Sequence, residues 1–119
     1  MAVSPSYKVL VIDLLNRVLP NVRARSMFGG VGVYSGDLFF ALIDDDTLYF
    51  KVDGSNRPDF EARGMAPFRP FGDAGETMQY YQVPEEVLED PDTLRTWAEK
   101  ALAVARQNKR HGKSRRRDA

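Results

Sequence analysis

Apolar and polar positions alternate most densely in residues 26–53, SMFGGVGVYSGDLFFALIDDDTLYFKVD, and the pattern predicts three consecutive antiparallel strands joined by two tight turns. The first apolar run, residues 27–34, has Gly29, Gly30 and Gly32 set into it and stops at the turn-forming Ser35-Gly36-Asp37. The second, residues 38–43, is apolar at every position, as in a strand covered on both faces or facing an interface. Asp44-Asp45-Asp46 turns the chain again. In the third, Leu48, Phe50 and Val52 alternate with Thr47, Tyr49 and Lys51, the period of a strand with one face on a core.

Helical spacing takes over on either side. Ser4 can cap an orphan N–H and Pro5 fits a first helical position, and Tyr7, Leu10, Val11, Leu14, Leu15 and Val18 then share one face until Pro20-Asn21. Residues 22–26 lead into the sheet, with Arg23 and Arg25 alternating outward as on a solvated strand edge. After the strands, residues 53–56 supply a turn and a helix cap, Pro58 sits in the first turn, Gly64 is a left-handed C-cap, and Phe60 packs on the sheet. Residues 66–82 read as a second hairpin whose first arm is made irregular by Pro67 and Pro70. Pro84 opens one helical turn, and Asp90 and Pro91 open a last helix with Leu94, Trp97, Ala98, Ala101, Leu102 and Ala105 as its apolar face.

The 119 residues make one domain, with 43% hydrophobic and 29% charged positions, ordinary for a globular protein. No apolar run is long enough to span a bilayer and the N-terminus does not resemble a secretory signal, so a cytoplasmic location is expected. The absence of cysteine removes disulfides, thiolate metal sites and cysteine nucleophiles. Charge divides the chain. Residues 1–105 hold 10 Lys/Arg against 16 Asp/Glu, a net of −6, and residues 106–119 hold 7 against 1, a net of +6. With almost no apolar residue beyond Arg106, residues 106–119 are expected to be a disordered basic tail.

Motifs for catalysis are weak. The glycine-rich stretch lacks the strand-before, helix-after setting of a phosphate loop, and its glycines suit close packing or a bulge. Three aspartates at a hairpin tip lack calcium-loop spacing and read as a solvated turn, and the one histidine, His111, lies in the expected tail. No catalytic residue, cofactor or metal is therefore expected. Lys51, Arg57, Tyr80 and Tyr81 are the candidates for a polar site at one edge of the sheet, although a rim of packed tyrosines and a salt-bridged lysine would leave the same trace. An apolar face on the second strand, with helices covering only one side, favours a homodimer or a bound protein partner.

The run Arg25-Ser-Met-Phe-Gly-Gly-Val-Gly-Val-Tyr34, with Leu48-Tyr-Phe-Lys-Val-Asp53, Asn56-Arg57 and Met78-Gln-Tyr-Tyr-Gln-Val-Pro-Glu-Glu-Val-Leu88, resembles the TfoX N-terminal-domain family over about residues 7–105. The resemblance implies an α+β fold in two layers, α-β-β-β-α-β-β-α, with helices on one side of an antiparallel sheet. It singles out Met27, Phe28, Gly29, Gly30, Gly32, Lys51, Arg57, Tyr80 and Tyr81 as motif or interaction residues. Founding members are regulators of natural DNA competence, acting with the cyclic-AMP receptor protein at promoters rather than as enzymes. They carry a second, helical domain where this sequence has its basic tail. The expected function is thus a non-enzymatic regulatory and protein-interaction module, with transcription machinery among its partners. The alternative is a nucleic-acid-associated protein whose Arg106, Lys109, Arg110, Lys113, Arg115, Arg116 and Arg117 bind phosphates without reading sequence.

Overall fold

The chain enters its first helix as the sequence predicts: the Ser4 hydroxyl accepts the Tyr7 N–H at 3.4 Å and Pro5 occupies the first helical position. The structure, a computed structural model, describes residues 3–27, 30–68 and 79–118. Helix α1 (Pro5–Asn16) is followed by β1 (Val22–Met27), β2 (Gly30–Ser35), β3 (Leu38–Asp44) and β4 (Thr47–Lys51). Helix α2 (Arg57–Glu61), strand β5 (Tyr80–Gln82), the single turn α3 (Glu85–Leu88) and α4 (Pro91–Asp118) complete it. The sheet is an antiparallel meander in the order β1-β2-β3-β4-β5. The expected α+β class holds.

Two features of the element order differ from expectation. The apolar run 27–34 is not one strand: Met27 ends β1 and pairs with Gly30, the first residue of β2, so residues 22–26 belong to a full edge strand and four strands precede α2. The side chains of Val22 and Ala24 face the core there, as a strand's do at every second position. In the expected second hairpin, Pro67 forms only an isolated bridge to Tyr81, because proline has no N–H to extend a ladder. Phe68 still donates its N–H to the Tyr80 carbonyl at 2.7 Å. The rest of that arm, residues 69–78, lies outside the described residues. The backbone shows no break at the expected domain end, residue 105: α4 is one helix to Asp118, and the polar residues that follow Ala105 include no proline to stop it.

Register sorts the sheet into two faces. Val31, Val33, Ala41, Ile43, Leu48 and Phe50 turn to one side and form a single core with Val11 and Leu15 of α1 and with Leu94, Ala98, Ala101 and Leu102 of α4. Leu10, expected on the buried face of α1, is 50% exposed, so that face is narrower than its apolar spacing suggests. Between Val33 and Tyr34 the pairing with β3 shifts by one residue, leaving Phe40 as a bulge. The bulge brings Phe40 and Ala41 in succession into the core, which is why β3 shows no alternation. Phe60 of α2 packs edge-on to Trp97 of α4 at 4.6 Å and meets Tyr81 at 6.0 Å.

The turns bear out their residues. Gly36 (φ 61°) and Gly64 (φ 71°) adopt the left-handed conformation, and Asp45 (φ 50°) and Asp46 (φ 52°) make the β3–β4 turn. Asp46 is not merely solvated, since its carboxylate accepts the Ser4 N–H at 2.7 Å and ties that turn to the start of α1.

Candidate binding face on the open side of the sheet

The face turned away from the core carries two rows of side chains set by the register. Arg23, Tyr34 and Phe39 run across β1, β2 and β3 and continue to Lys51 and Tyr80 on β4 and β5. Arg25, Gly32, Leu42, Tyr49 and Gln82 form the second row. No described helix covers these rows; the core cluster, which holds α1 and α4, includes neither Leu42 nor Tyr80 although both are buried.

The first row is a continuous aromatic and cationic column. The Arg23 guanidinium lies 5.9 Å from the centre of the Tyr34 ring, Tyr34 stacks on Phe39 at 5.0 Å and 22°, and Phe39 meets Tyr80 at 5.8 Å. Lys51 lies over two of these rings, 5.2 Å from Tyr80 and 5.8 Å from Phe39, and its ammonium donates to the Tyr80 hydroxyl at 3.4 Å. Burial lowers the Lys51 pKa, and burial, with Tyr34 adding to it, raises that of Tyr80, so the phenol stays protonated. In the second row Gly32 has no side chain, and the vacant space holds Met27 and Phe39: a Cβ at Gly32 would lie 2.6 Å from Met27 Cε and 3.3 Å from Phe39 Cε1. Tyr49 packs against Phe68 at 4.8 Å. On the β1 side, Arg23, Ala24, Arg25 and Tyr34 line a pocket of about 190 Å³.

Of the four polar candidates, the structure joins two. Lys51 and Tyr80 are partners, and Arg57 sits alongside, donating to Gln79 at 3.1 Å. Tyr81 turns to the other face, where its hydroxyl donates to Glu61 at 3.3 Å, because successive strand residues point to opposite sides. Gly30 approaches β3 closely, with a Cβ there falling 2.7 Å from the Ile43 carbonyl oxygen. Phe28 and Gly29 lie outside the described residues, as do the side chains of residues 109–119, which include six of the seven expected phosphate-binding cations. Arg106 is an exposed residue of α4.

Residues 13–105 match the TfoX N-terminal domain. The chain belongs to that family. A relative, the DNA transformation protein TfoX1 of Aliivibrio fischeri (strain ATCC 700601 / ES114), is 32% identical over 97 residues, which are 81% of this chain and 46% of the relative. The chain therefore spans about half the length of the relative it matches. In this TfoX N-terminal domain the family motifs sort onto both faces of the sheet. Met27, Gly32, Tyr34, Lys51 and Tyr80 build the open face, while Val31, Val33, Leu48 and Phe50 fill the core. The residues that sequence reasoning missed are Arg23, Tyr34 and Phe39. In the sequence Arg23 reads only as part of a solvated strand edge, the signal for Tyr34 is the two-residue period of β2, and the bulge in β3 hides that of Phe39.

Proposed function

We propose that this chain is a regulatory module of DNA transformation that works by docking a protein partner rather than by catalysis. Membership in the TfoX N-terminal domain family and the likeness to a DNA transformation protein support this reading. The observation that carries it is the open face: Tyr49, Phe68, Phe39 and Tyr34 are each only half-buried on a sheet side that no described helix covers. Aromatic surface left facing water is the usual material of a protein interface, and the flanking Lys51 offers an ammonium for a partner's carboxylate. Burial raises the Tyr80 pKa, so the phenol stays protonated at neutral pH and can donate a hydrogen bond to a partner. A role beside transcription machinery calls for a cytoplasmic location.

The test is complementation in the organism the gene comes from, after deletion of that gene. The double variant Tyr49→Asp/Phe68→Asp, checked for unchanged level and melting temperature, is expected to lower transformation by about tenfold or more and to fail to restore the transcripts that depend on the gene. Full complementation by that variant would sink the docking reading. Turnover of a substrate by the purified chain, abolished by Lys51→Met, would sink the non-enzymatic one.

A further inference from the structure

We infer that the β1–β2 corner of the open face, built by Arg23, Arg25 and Tyr34, is a binding site for single-stranded nucleic acid. The inference goes beyond the protein-docking reading and uses the opposite end of the face from Tyr49 and Phe68. Three observations carry it. The ring column Phe39, Tyr34, Arg23 ends at an exposed guanidinium, a flat cationic surface that can take an unpaired base as its next layer. Arg23 and Arg25 stand two residues apart on one strand, about 7 Å, on the same face and both exposed. Among the described residues no carboxylate pairs with either, so both are available to phosphate. The pocket of about 190 Å³ between them and Tyr34 gives the base a place to seat.

Charge on the patch differs from charge on the body. Residues 1–105 are net acidic, but the described strand residues that share this face carry three cations, Arg23, Arg25 and Lys51, against one carboxylate, Asp44. Asp44 stands opposite Thr47 at the far end of β3 from Phe39, away from the column. A duplex hides the base faces that such a column needs, and the strand edge is too narrow to follow two backbones; a single strand offers both bases and one line of phosphates. The sequence holds a second set of cations in residues 106–117, so the two must be told apart.

The experiment is fluorescence anisotropy of labelled twenty-residue oligo(dT) and oligo(U), and of a duplex of equal length, with the full chain. Four variants are compared: Arg23→Glu/Arg25→Glu, Tyr34→Leu, Tyr34→Phe, and Arg115→Gln/Arg116→Gln/Arg117→Gln. Wild type is expected to bind at least one of the two single strands more tightly than the duplex, and the difference between dT and U tells DNA from RNA. Charge reversal at the corner and Tyr34→Leu should each weaken single-strand binding by about tenfold, whereas Tyr34→Phe keeps it. Replacing the two arginines should also flatten the salt dependence, by about 0.7 in log K against log salt for each phosphate they no longer neutralise. The inference is overturned if wild type binds no single strand, if the duplex binds as well as either, or if only the α4 substitutions weaken binding. It is also overturned if the corner variants disturb transformation while leaving oligonucleotide binding intact, since that outcome assigns the corner to a protein. Because Tyr49→Asp/Phe68→Asp does not touch the corner, failure of the docking reading leaves this test unaffected.

Discussion

The Lys51 ammonium sits 3.4 Å from the Tyr80 hydroxyl and 5.2 Å from the centre of its ring, so a cation and a phenol share one poorly hydrated patch across β4 and β5. The hydrogen bond is long, and burial sets the direction in which both groups shift.

Stability should therefore depend on pH in the alkaline range in two opposed ways. Lys51 has a folded pKa below the unfolded 10.5, so the unfolded chain binds more protons in that interval and stability rises as pH climbs towards 10.5. Tyr80 has a folded pKa above the unfolded 10.0, so beyond that pH only the unfolded chain loses the proton and stability falls. Tyr7 and Tyr49, raised chiefly by burial, act in the same sense as Tyr80. Urea titrations between about pH 8 and 11, followed by emission of the buried Trp97, are expected to show Lys51→Met removing part of the rise and Tyr80→Phe part of the fall. Profiles that superimpose on wild type would refute the assignment.

Two strand glycines should respond unequally to a side chain. At Gly32 the obstacle is the end of a flexible methionine, and Gly32→Ala should cost under about 1 kcal/mol while Gly32→Val costs about 1–3 kcal/mol. At Gly30 the obstacle is the Ile43 carbonyl, which cannot turn aside, and Gly30→Ala should cost more than Gly32→Ala. Chemical denaturation of the two alanine variants gives the order directly. The reverse order would show that β2 and β3 separate more easily than their ladder implies.

Asn56 is buried, at 1% exposure, and works backwards along the chain rather than as the expected helix cap. Its amide donates to the Lys51 carbonyl at 3.0 Å and its oxygen accepts the Asp53 N–H at 2.8 Å, fixing the end of the strand that carries Lys51. Asn56→Ala strands both backbone groups, and a loss of about 2–3 kcal/mol is expected. Asn56→Asp keeps only the acceptor, so it should recover at most part of that loss. A change of less than about 0.5 kcal/mol for the alanine variant would mean that water replaces the amide.

Asp45 holds φ at 50° between two other aspartates. Asp45→Gly removes a left-handed strain and a repulsion together, and should stabilise the protein by about 0.5–1 kcal/mol. Asp46→Gly has the same backbone benefit but loses the acceptor for the Ser4 N–H, so it should gain less. Equal gains would show that the hydrogen bond to Ser4 contributes nothing in solution.

The fold was legible where a local cause was strong. Ser4-Pro5, Gly36, Gly64, Asp90-Pro91 and the alternation in β4 each did what their chemistry predicts. β1 was obscured because Met27, Gly30 and Val31 read as one apolar run, and pairing, not composition, decides where it folds back. In β3 the bulge at Phe40 erased the two-residue period, and with it the sign that Phe39 and Leu42 leave the core. Lys51 and Tyr80 were found because a strand lysine and a strand tyrosine could meet at one edge of the sheet, as they do. Tyr34 and Phe39 were not, since an aromatic on a sheet looks alike on either face until the register is known.

Every strand of the sheet neighbours in space the strand next to it in the chain. From β1 to β4 the connections are short, so that part of the ladder can zip up early and quickly, hairpin by hairpin, while β5 joins only after α2. The helix that covers Phe40, Ile43 and Phe50 comes last in the order of elements. During folding, then, a nearly complete ladder must wait with its oily side bare until Leu94, Ala98 and Leu102 arrive. That interval is when two nascent chains are most apt to stick together, and slowing the docking of α4 should show up as aggregates rather than as a less stable native state.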